Sequence, residues 1–151
     1  TVTAAGGENT ARTLRDALAR ANPGDTIVVA EPRLTETKLT LTARQHRDVT
    51  VESVTPDGAP AVVEFAGGGA AMIEANGVEG FKLRGLVLDG QAEGRDDRHR
   101  PDYGLVVKGS CPGAVVENVT VRNVRLAGVQ LHGAAGGEGR PVVLDHLRVY
   151  D

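Results

Sequence analysis

Residues 104–123 read GLVVKGSCPGAVVENVTVRN and repeat, without a gap, the pattern of residues 71–90, which read AMIEANGVEGFKLRGLVLDG. The two copies begin 33 residues apart. Each copy holds three short apolar segments separated by Gly, Asn, Asp or Pro, a pattern typical of short buried strands between turns. The repeat therefore predicts a fold in which one unit of three strands is used several times.

Two further copies extend the repeat in both directions. A third copy begins at Gly128, 24 residues after Gly104, and has four additional residues in its middle. A looser copy precedes the others at residues 38–53 and 61–68. Four copies of the unit predict about four coils. The predicted strands of the three clear copies are residues 72–73, 81–83 and 86–88, then 105–107, 114–116 and 119–121, then 129–131, 142–144 and 147–149.

The predicted strands are connected by bends rather than by hairpin turns. Each strand is therefore expected to pair in parallel with its equivalent in the next copy, about 4.8 Å away. The corner between the second and third strands carries Gly85, Asn118 and His146, residue types that accept left-handed backbone angles more readily than most. Alternation along the second strands predicts four inward-pointing residues: Phe81, Leu83, Ala114 and Val116.

A short helix is predicted before the repeats. Four apolar residues recur at helical spacing on one face: Leu14, Ala17, Leu18 and Ala21. Thr13 and Asp16 have the spacing of a capping box, and Asn9 or Thr10 equally fit as the cap of an earlier start. An Asn-Pro-Gly sequence at residues 22–24 ends the helix, because proline disfavours helical geometry at the residue before it.

The chain is predicted to form a single domain. Residues 1–25 form an N-terminal cap with the helix near residues 11–21, and residues 26–151 form the coils, which begin with a buried strand at residues 26–30. An inserted loop occupies residues 91–103, between the third strand of one coil and the first strand of the next. We expect that the solenoid is truncated at its C-terminal end and forms an end-to-end homo-oligomer through the open last coil.

Composition argues against two classes of partner. The net charge is −3, whereas a nucleic-acid-binding protein usually presents a basic face. No apolar run approaches the length of about 18 residues that marks a membrane-spanning helix. We therefore expect neither nucleic acid nor a membrane span.

Two segments make the chain similar to the right-handed parallel β-helix family of pectate lyases and many bacterial repeat proteins. They are TLRDALARANPGDTIVVA as an N-terminal cap and GLVVKGSCPGAVVENVTVRN as one coil. The resemblance implies an all-β solenoid of about four right-handed coils with an amphipathic capping helix. The chain also resembles β-helix modules of larger bacterial proteins, including planctomycete-type signalling proteins such as serine/threonine kinases. On that ground we expect an extracytoplasmic or cell-surface module.

The inserted loop contains GRDDRHRPDY, the densest run of charge in the chain. In enzymes of the family that this chain resembles, long corner loops beside the first strand build the substrate groove. We therefore expect a polysaccharide ligand on this loop and on the outward face of the first strands. Tyr103 is the candidate for stacking on a sugar, since Phe65 and Phe81 are expected to point inward. The candidate ligand-binding residues are Asp96, Asp97, Arg98, Asp102, Tyr103, Lys108 and His132.

An enzyme reading of the same loop is an alternative. A polysaccharide lyase would hold Ca²⁺ with Asp96, Asp97 and Asp102. Its catalytic groups would be Arg98 or Arg100, which neutralise the uronate or act as base, and His99 or Tyr103 as general acid or base. A glycoside hydrolase would pair two carboxylates, for which Asp89 and Asp97 are the candidates.

Three observations favour a non-catalytic module. The loop carries three Asp against three Arg, as a solvated insertion would. The outward column of Arg84, Glu117 and Asp145 is expected to form surface ion pairs only. The outward first-strand face is predicted to hold few acids: Ile73, Val106 and Gln130 in one row, and Ala75, Lys108 and His132 in the next.

The sequence therefore predicts a recognition or scaffold module with carbohydrate as the ligand class. A fragment of a polysaccharide lyase or glycoside hydrolase is one alternative, and a purely structural self-associating solenoid is another. No cofactor is expected, apart from Ca²⁺ in the lyase alternative.

Overall fold

The computed structural model describes residues 1, 10–91 and 100–150. Within these residues the chain forms one helix and fourteen strands, so the fold is mostly β. The helix is α1 (Leu14–Arg20), and the strands are β1 (Thr26–Val29), β2 (Arg33–Glu36), β3 (Leu39–Thr42), β4 (Thr50–Ser53), β5 (Ala61–Phe65), β6 (Ala71–Asn76), β7 (Lys82–Arg84), β8 (Leu86–Asp89), β9 (Tyr103–Ser110), β10 (Val115–Glu117), β11 (Thr120–Arg122), β12 (Ala127–Ala135), β13 (Val143–Asp145) and β14 (Arg148–Tyr150).

The strands form three parallel sheets. Sheet I has the order β1-β4-β7-β10-β13, sheet II has β2-β5-β8-β11-β14, and sheet III has β3-β6-β9-β12. Each strand from β1 to β11 pairs in parallel with the strand three places further along the chain; in the first such pair, Thr26 of β1 is in register with Thr50 of β4. The chain therefore visits the three sheets in turn, one visit to each making a coil, which fits a solenoid-like fold. The predicted parallel pairing of equivalent strands is confirmed.

Each predicted strand of the repeat overlaps an observed one. The first strands of the repeat lie in sheet III, the second in sheet I and the third in sheet II. The offset between β9 and β12 is 24 residues, from Lys108 to His132, and that between β10 and β13 is 28, from Val115 to Val143. The four additional residues of the last copy are therefore where the sequence predicted them. Strand β2 was not predicted.

The apolar core fills the space between the three sheets. The four residues predicted to point inward from the second strands are all buried, as are Phe65 and Leu88 from sheet II. Helix α1 contacts β1 and β2 and adds Leu14 and Leu18 to the same core. The helix therefore covers one end of the stacked coils.

The start of α1 is capped twice. The Thr13 hydroxyl accepts a hydrogen bond from the Asp16 amide at 3.0 Å, so Thr13, rather than Asn9 or Thr10, is the N-cap. The carboxylate of Glu36, at the end of β2, accepts from the Leu14 amide at 2.5 Å. Because a helix start presents amides without intrahelical acceptors, this contact ties the helix to the sheet.

The end of α1 is held by the corner after β3. Gln45 Nε2 donates to the carbonyls of Leu18, Ala19 and Ala21 at 2.9–3.2 Å. The buried His46 ring lies between two main-chain groups, with Nδ1 accepting from the Thr42 amide at 2.8 Å and Nε2 3.0 Å from the Leu18 carbonyl. The His46 side chain therefore has a structural role, because it joins the corner after β3 to the end of α1.

The predicted tight corner is confirmed. Gly85, Asn118 and His146 have φ values of 66°, 52° and 49°, and all three lie in the left-handed region. The corner recurs in the three coils that contain β7–β8, β10–β11 and β13–β14, where one or two residues join the strands, whereas the connections after β1 and β4 are longer. Asp48 and Asn123 adopt the same backbone region at other corners, with φ of 58° each, and these were not predicted.

The predicted outward face of sheet III was wrong by one residue in β6. Ile73 and Ala75 are buried and belong to the core. Glu74 and Asn76 are the residues of β6 that face outward. A shift of one residue exchanges the two faces of a strand, because side chains alternate along it.

The cause is the corner that follows the strand. From β7 to β10 the offset is 33 residues, as Val115 pairs with Lys82. From β6 to β9 it is 32, as Lys108 pairs with Asn76. The corner between sheets III and I is therefore one residue longer after β9 than after β6. An alignment without a gap matches sheets I and II correctly and misplaces sheet III.

Candidate functional site

The outer face of sheet III brings together three of the predicted ligand-binding residues, Tyr103, Lys108 and His132. Lys108 of β9 lies in register with His132 of β12, as predicted. Tyr103 is the first residue of β9, so it belongs to the strand and not to the inserted loop. The outward residues of the four strands form two rows, which are Thr40, Glu74, Val106 and Gln130, then Thr42, Asn76, Lys108 and His132.

A carboxylate between two lysines lies at the centre of this face. Lys38 Nζ is 3.0 Å from Glu74 Oε2, and Lys108 Nζ is 3.4 Å from Glu74 Oε1. The hydrogen bond from Lys38 holds the pKa of Glu74 below its usual value, and Lys108 adds to this effect against a smaller opposing effect of burial. The Glu74 side chain is 19% exposed, so it remains within reach of a ligand. Sequence reasoning missed Glu74 because it placed Ile73 on this face.

Tyr103 lies beside an amide and an apolar patch. Gln130 Nε2 is 3.5 Å from the Tyr103 hydroxyl. Val106, which is in the same row as Gln130, is buried although its strand position faces outward. Ala71, which pairs with Tyr103 in the preceding coil, is also buried. Tyr103 is half-buried, and its hydroxyl has a polar neighbour in Gln130.

A groove between α1 and β3 extends the face. Its volume is about 230 Å³. Lys38, Thr40 and Thr42 line it, so it is continuous with the two rows. On the helix side it is lined by Arg15, whose Nη2 donates to the Thr37 hydroxyl and to the Lys38 carbonyl at 2.6 Å. The face thus ends in a recess bounded by hydroxyl groups and by two cationic side chains.

Asp102 lies in the connection that precedes β9 and contacts the next coil. Its carboxylate is 3.7 Å from Arg125 Nη1, and its carbonyl accepts from the amides of Leu126 and Ala127. These contacts join residues 100–102 to the equivalent connection of the next coil. The role of the Asp102 side chain as a ligand-binding residue stays a prediction.

Four of the candidate residues lie outside the described residues. They are Asp96, Asp97, Arg98 and His99. Arg100 is described and is half-buried. Within residues 1, 10–91 and 100–150 no group of three His, Cys, Asp or Glu side chains is placed to hold a metal ion.

Asp89, a candidate of the glycoside-hydrolase reading, lies on the outer face of sheet II. It is buried, and its carboxylate accepts from Arg122 Nε at 2.8 Å and from Asn123 Nδ2 at 2.7 Å. Its proposed partner, Asp97, lies outside the described residues. The acid that the structure brings next to Asp89 is Glu64, in register on β5.

Glu64 was missed by sequence reasoning. It is buried and forms an ion pair with Arg33. Glu64 and Asp89 thus each have their own guanidinium partner, and the row is a stacked network of charge pairs between coils. The sequence does contain a signal for this pair, since Glu64 and Asp89 occupy the same strand position in successive coils. That signal becomes visible only when β5 and β8 are aligned.

The predicted outward column of sheet I is also confirmed. Arg84, Glu117 and Asp145 share one register position. Arg84 Nε lies 2.5 Å from Glu117 Oε1, and both side chains are partly exposed. Asp145 is paired instead with His146, at 2.9 Å. Within this column the structure therefore has one partly exposed ion pair, Arg84–Glu117, of the kind that contributes little to stability.

Comparison with protein-family models, with curated proteins and with solved structures found no match for this chain. In the part of the chain that the structure describes, no helix has the length and apolar character of a membrane span.

Proposed function

We propose that this chain is a right-handed parallel β-helix module of a larger bacterial protein, extracytoplasmic or on the cell surface, that binds carbohydrate without catalysing a reaction. The binding surface is the outer face of sheet III. The observation that carries the proposal is the register of β6, β9 and β12, which gathers five side chains on one surface: Glu74, Asn76, Lys108, Gln130 and His132. The Tyr103 hydroxyl lies 3.5 Å from Gln130 Nε2 and so adjoins this surface.

The chemistry of this face suits a saccharide. A sugar ring offers an apolar side, which an aromatic ring contacts, and a rim of hydroxyl groups, which amides, carboxylates and ammonium groups bind. Neighbouring strands are about 4.8 Å apart, so a chain of sugars lying across the sheet meets one row after another. The right-handed sense accords with the strong preference of parallel β-crossover connections for that hand.

The state of the carboxylates supports binding rather than catalysis. A general acid at neutral pH needs a raised pKa, whereas the pKa of Glu74 is lowered by Lys38 and Lys108. The Asp89 carboxylate already accepts hydrogen bonds from Arg122 and Asn123. The lowered pKa makes Glu74 unsuited to donate a proton to a leaving group.

The test is a melting-temperature screen against neutral and anionic polysaccharides, with and without Ca²⁺. A ligand that binds only the folded state raises the melting temperature by mass action. We expect a rise that is lost in Tyr103→Ala and retained in Tyr150→Ala, an equivalent change on the exposed aromatic of β14. No rise with any polysaccharide would reject the proposal. Release of new sugar ends during incubation would favour the enzyme alternative.

A second proposal concerns the end of the coils opposite to α1, because its side chains are uncovered. Leu131, Leu144 and Val149 occupy inward positions of the last coil and are 50%, 38% and 50% exposed. Open strand edges and an apolar cross-section favour association with another chain. Since α1 covers the other end, we infer that two copies meet tail to tail, in a two-fold arrangement.

Sedimentation analysis over a range of concentrations tests this association. We expect a concentration-dependent dimer that Leu144→Lys converts to a monomer. A matched change at Leu126, exposed but at a corner of the chain, serves as the control. A monomer at all concentrations would reject the tail-to-tail dimer.

A further inference from the structure

Positive charge collects where the outer face of sheet III meets the groove between α1 and β3. Arg15 and Lys38 line the groove, and Lys38 and Lys108 both contact Glu74 on the face. Three cations against one carboxylate leave two positive charges in excess at neutral pH, although the whole chain carries −3. A local excess of positive charge on an acidic chain favours the approach of an anionic partner at this place.

The two lysines keep donors for a ligand. Lys38 Nζ is 3.0 Å from one oxygen of Glu74, and Lys108 Nζ is 3.4 Å from the other. An ammonium group has three N–H donors, so one contact with a carboxylate leaves donors for a further acceptor. The side chains of Lys38 and Lys108 are 32% and 38% exposed, so a ligand can reach both.

Arg15 is held in place by neutral groups. Its Nη2 donates to the Thr37 hydroxyl and, at 2.6 Å, to the Lys38 carbonyl. These acceptors position the guanidinium without neutralising its charge, and they occupy a single nitrogen of a group that has five N–H donors. The buried Glu36 below this helix start accepts from the main-chain amides of Leu14 and Arg15, so its hydrogen bonds leave the guanidinium donors in place.

The groove supplies further donors beside the two cations. Its volume is about 230 Å³, and the exposed Thr40 and Thr42 of β3 line it. Within the described residues no carboxylate lines this groove. Hydroxyl and cationic N–H groups suit an oxyanion, which offers acceptors only. Thr40 is in register with Glu74 of β6, so the groove opens onto the outer face of sheet III.

We propose that the groove between α1 and β3 is a subsite for an anionic substituent of the bound saccharide, a carboxylate or a sulfate, and that Arg15 and Lys38 hold it. The inference rests on the proposed function, because it names the class of carbohydrate that the face takes. The rest of the saccharide lies across sheet III, where Lys108 is available to a second anionic substituent. Beyond about 10 Å solvent ions screen the negative charge of the remaining chain, so the nearby cations dominate.

Isothermal titration with oligosaccharides that differ only in charge tests this directly. One pair of probes is hexagalacturonate and its methyl ester, and the other is a sulfated glucose hexasaccharide and its unsulfated form. We expect the wild-type protein to bind the charged member of at least one pair about tenfold more tightly than the neutral member. The pair that shows this difference identifies the substituent as carboxylate or sulfate. Added salt should reduce the difference, because it screens the attraction between charges.

Variants on α1 and β3 locate the subsite. Arg15→Gln should weaken binding of the charged member about tenfold and leave the neutral member unchanged. Arg15→Lys keeps the charge and should lose less. Lys38→Gln should act in the same direction as Arg15→Gln without altering the helix. The matched control is Arg20→Gln on the same helix, because Arg20 donates to the Thr10 carbonyl and lines a different groove. Circular dichroism spectra that match the wild type establish that each variant is folded.

The outcomes distinguish this inference from the proposed function. If none of the four probes binds the wild-type protein, the proposed function fails and the inference fails with it. If the neutral member of each pair binds at least as tightly as the charged one, carbohydrate binding stands and the anionic subsite is rejected. If a charged member binds more tightly but Arg15→Gln and Lys38→Gln lose no more than Arg20→Gln, the role of the groove is rejected.

Discussion

Replacing Glu36 should destabilise the fold at the end that α1 covers, because this carboxylate holds the helix to the sheet. Glu36 is 5% exposed and lies at the end of β2. It accepts hydrogen bonds from the amides of Leu14 and Arg15, the first two residues of α1. Glu36→Ala would remove the acceptor of both amides at a buried helix start.

The size of the effect follows from those two contacts. Loss of a helix cap costs about 0.5–2 kcal/mol, and a buried donor left without an acceptor costs roughly 1–3 kcal/mol. The Thr13 cap remains and satisfies a different amide, that of Asp16. We therefore expect Glu36→Ala to lower the free energy of unfolding by about 2–3 kcal/mol.

The pH dependence of stability gives a second test of Glu36. Burial raises the pKa of Glu36 above its ordinary value of 4.5, against the opposing effect of hydrogen bonds from Leu14 and Arg15. The folded state thus holds this proton more tightly than the unfolded chain does. The stability that this tighter proton binding contributes is fully present below pH 4.5 and is lost as the pH rises through the raised pKa of the folded state, whereas the hydrogen bonds from the Leu14 and Arg15 amides do not depend on that proton. In Glu36→Gln the group does not titrate, so the stability of this variant relative to the wild type should improve as the pH is raised.

Urea denaturation followed by circular dichroism, at about pH 4 and about pH 7, measures both effects. Glu138→Gln and Glu138→Ala are matched controls at an exposed carboxylate. If Glu36→Ala costs no more than Glu138→Ala, the carboxylate does not cap the helix. If Glu36→Gln loses stability relative to the wild type as the pH rises, the sign of the pKa shift is wrong.

Three further changes test the coils by the same urea assay. Asn118→Val should cost about 1–2 kcal/mol because its φ of 52° is unfavourable for a β-branched residue, whereas Thr120→Val in the extended β11 should cost less. Gly104→Ala would place its Cβ 2.3 Å from Val121 Cγ1 and should cost about 1–3 kcal/mol, part of which Val121→Ala should restore in the double variant. Asp89→Ala leaves a guanidinium and an amide without their buried acceptor and should cost about 2–3 kcal/mol, whereas Asp89→Asn should cost less. Equal costs for the members of any of these pairs would contradict the structural reason given for it.

The repeat made much of the fold predictable. Three apolar segments that recur with the same spacing can satisfy their main-chain hydrogen bonds only by pairing with their own equivalents, which defines the sheets. The corner of Gly85, Asn118 and His146 was predictable for the same reason. One such residue is weak evidence for a left-handed angle, but three at one position of the repeat are specific.

The helix cap and the charge network could not be predicted in this way. Strand β2 reads RLTE, and its last residue is an acid at an inward position. No local pattern indicates that Glu36 finds its partners at the start of α1. Glu64 and Asp89 each look like surface acids until the register places Arg33 and Arg122 beside them.

The candidate face shows how strongly a functional prediction depends on one corner. The corner after β9 has one residue more than the corner after β6, and this leaves sheets I and II unaffected. In β6, however, the difference in corner length places Glu74, rather than the predicted Ile73, on the outer face. A face predicted to hold few acids then gains a carboxylate at the point where Lys38 and Lys108 converge. In a fold of stacked coils the corners, rather than the strands, therefore determine which side chains meet a ligand.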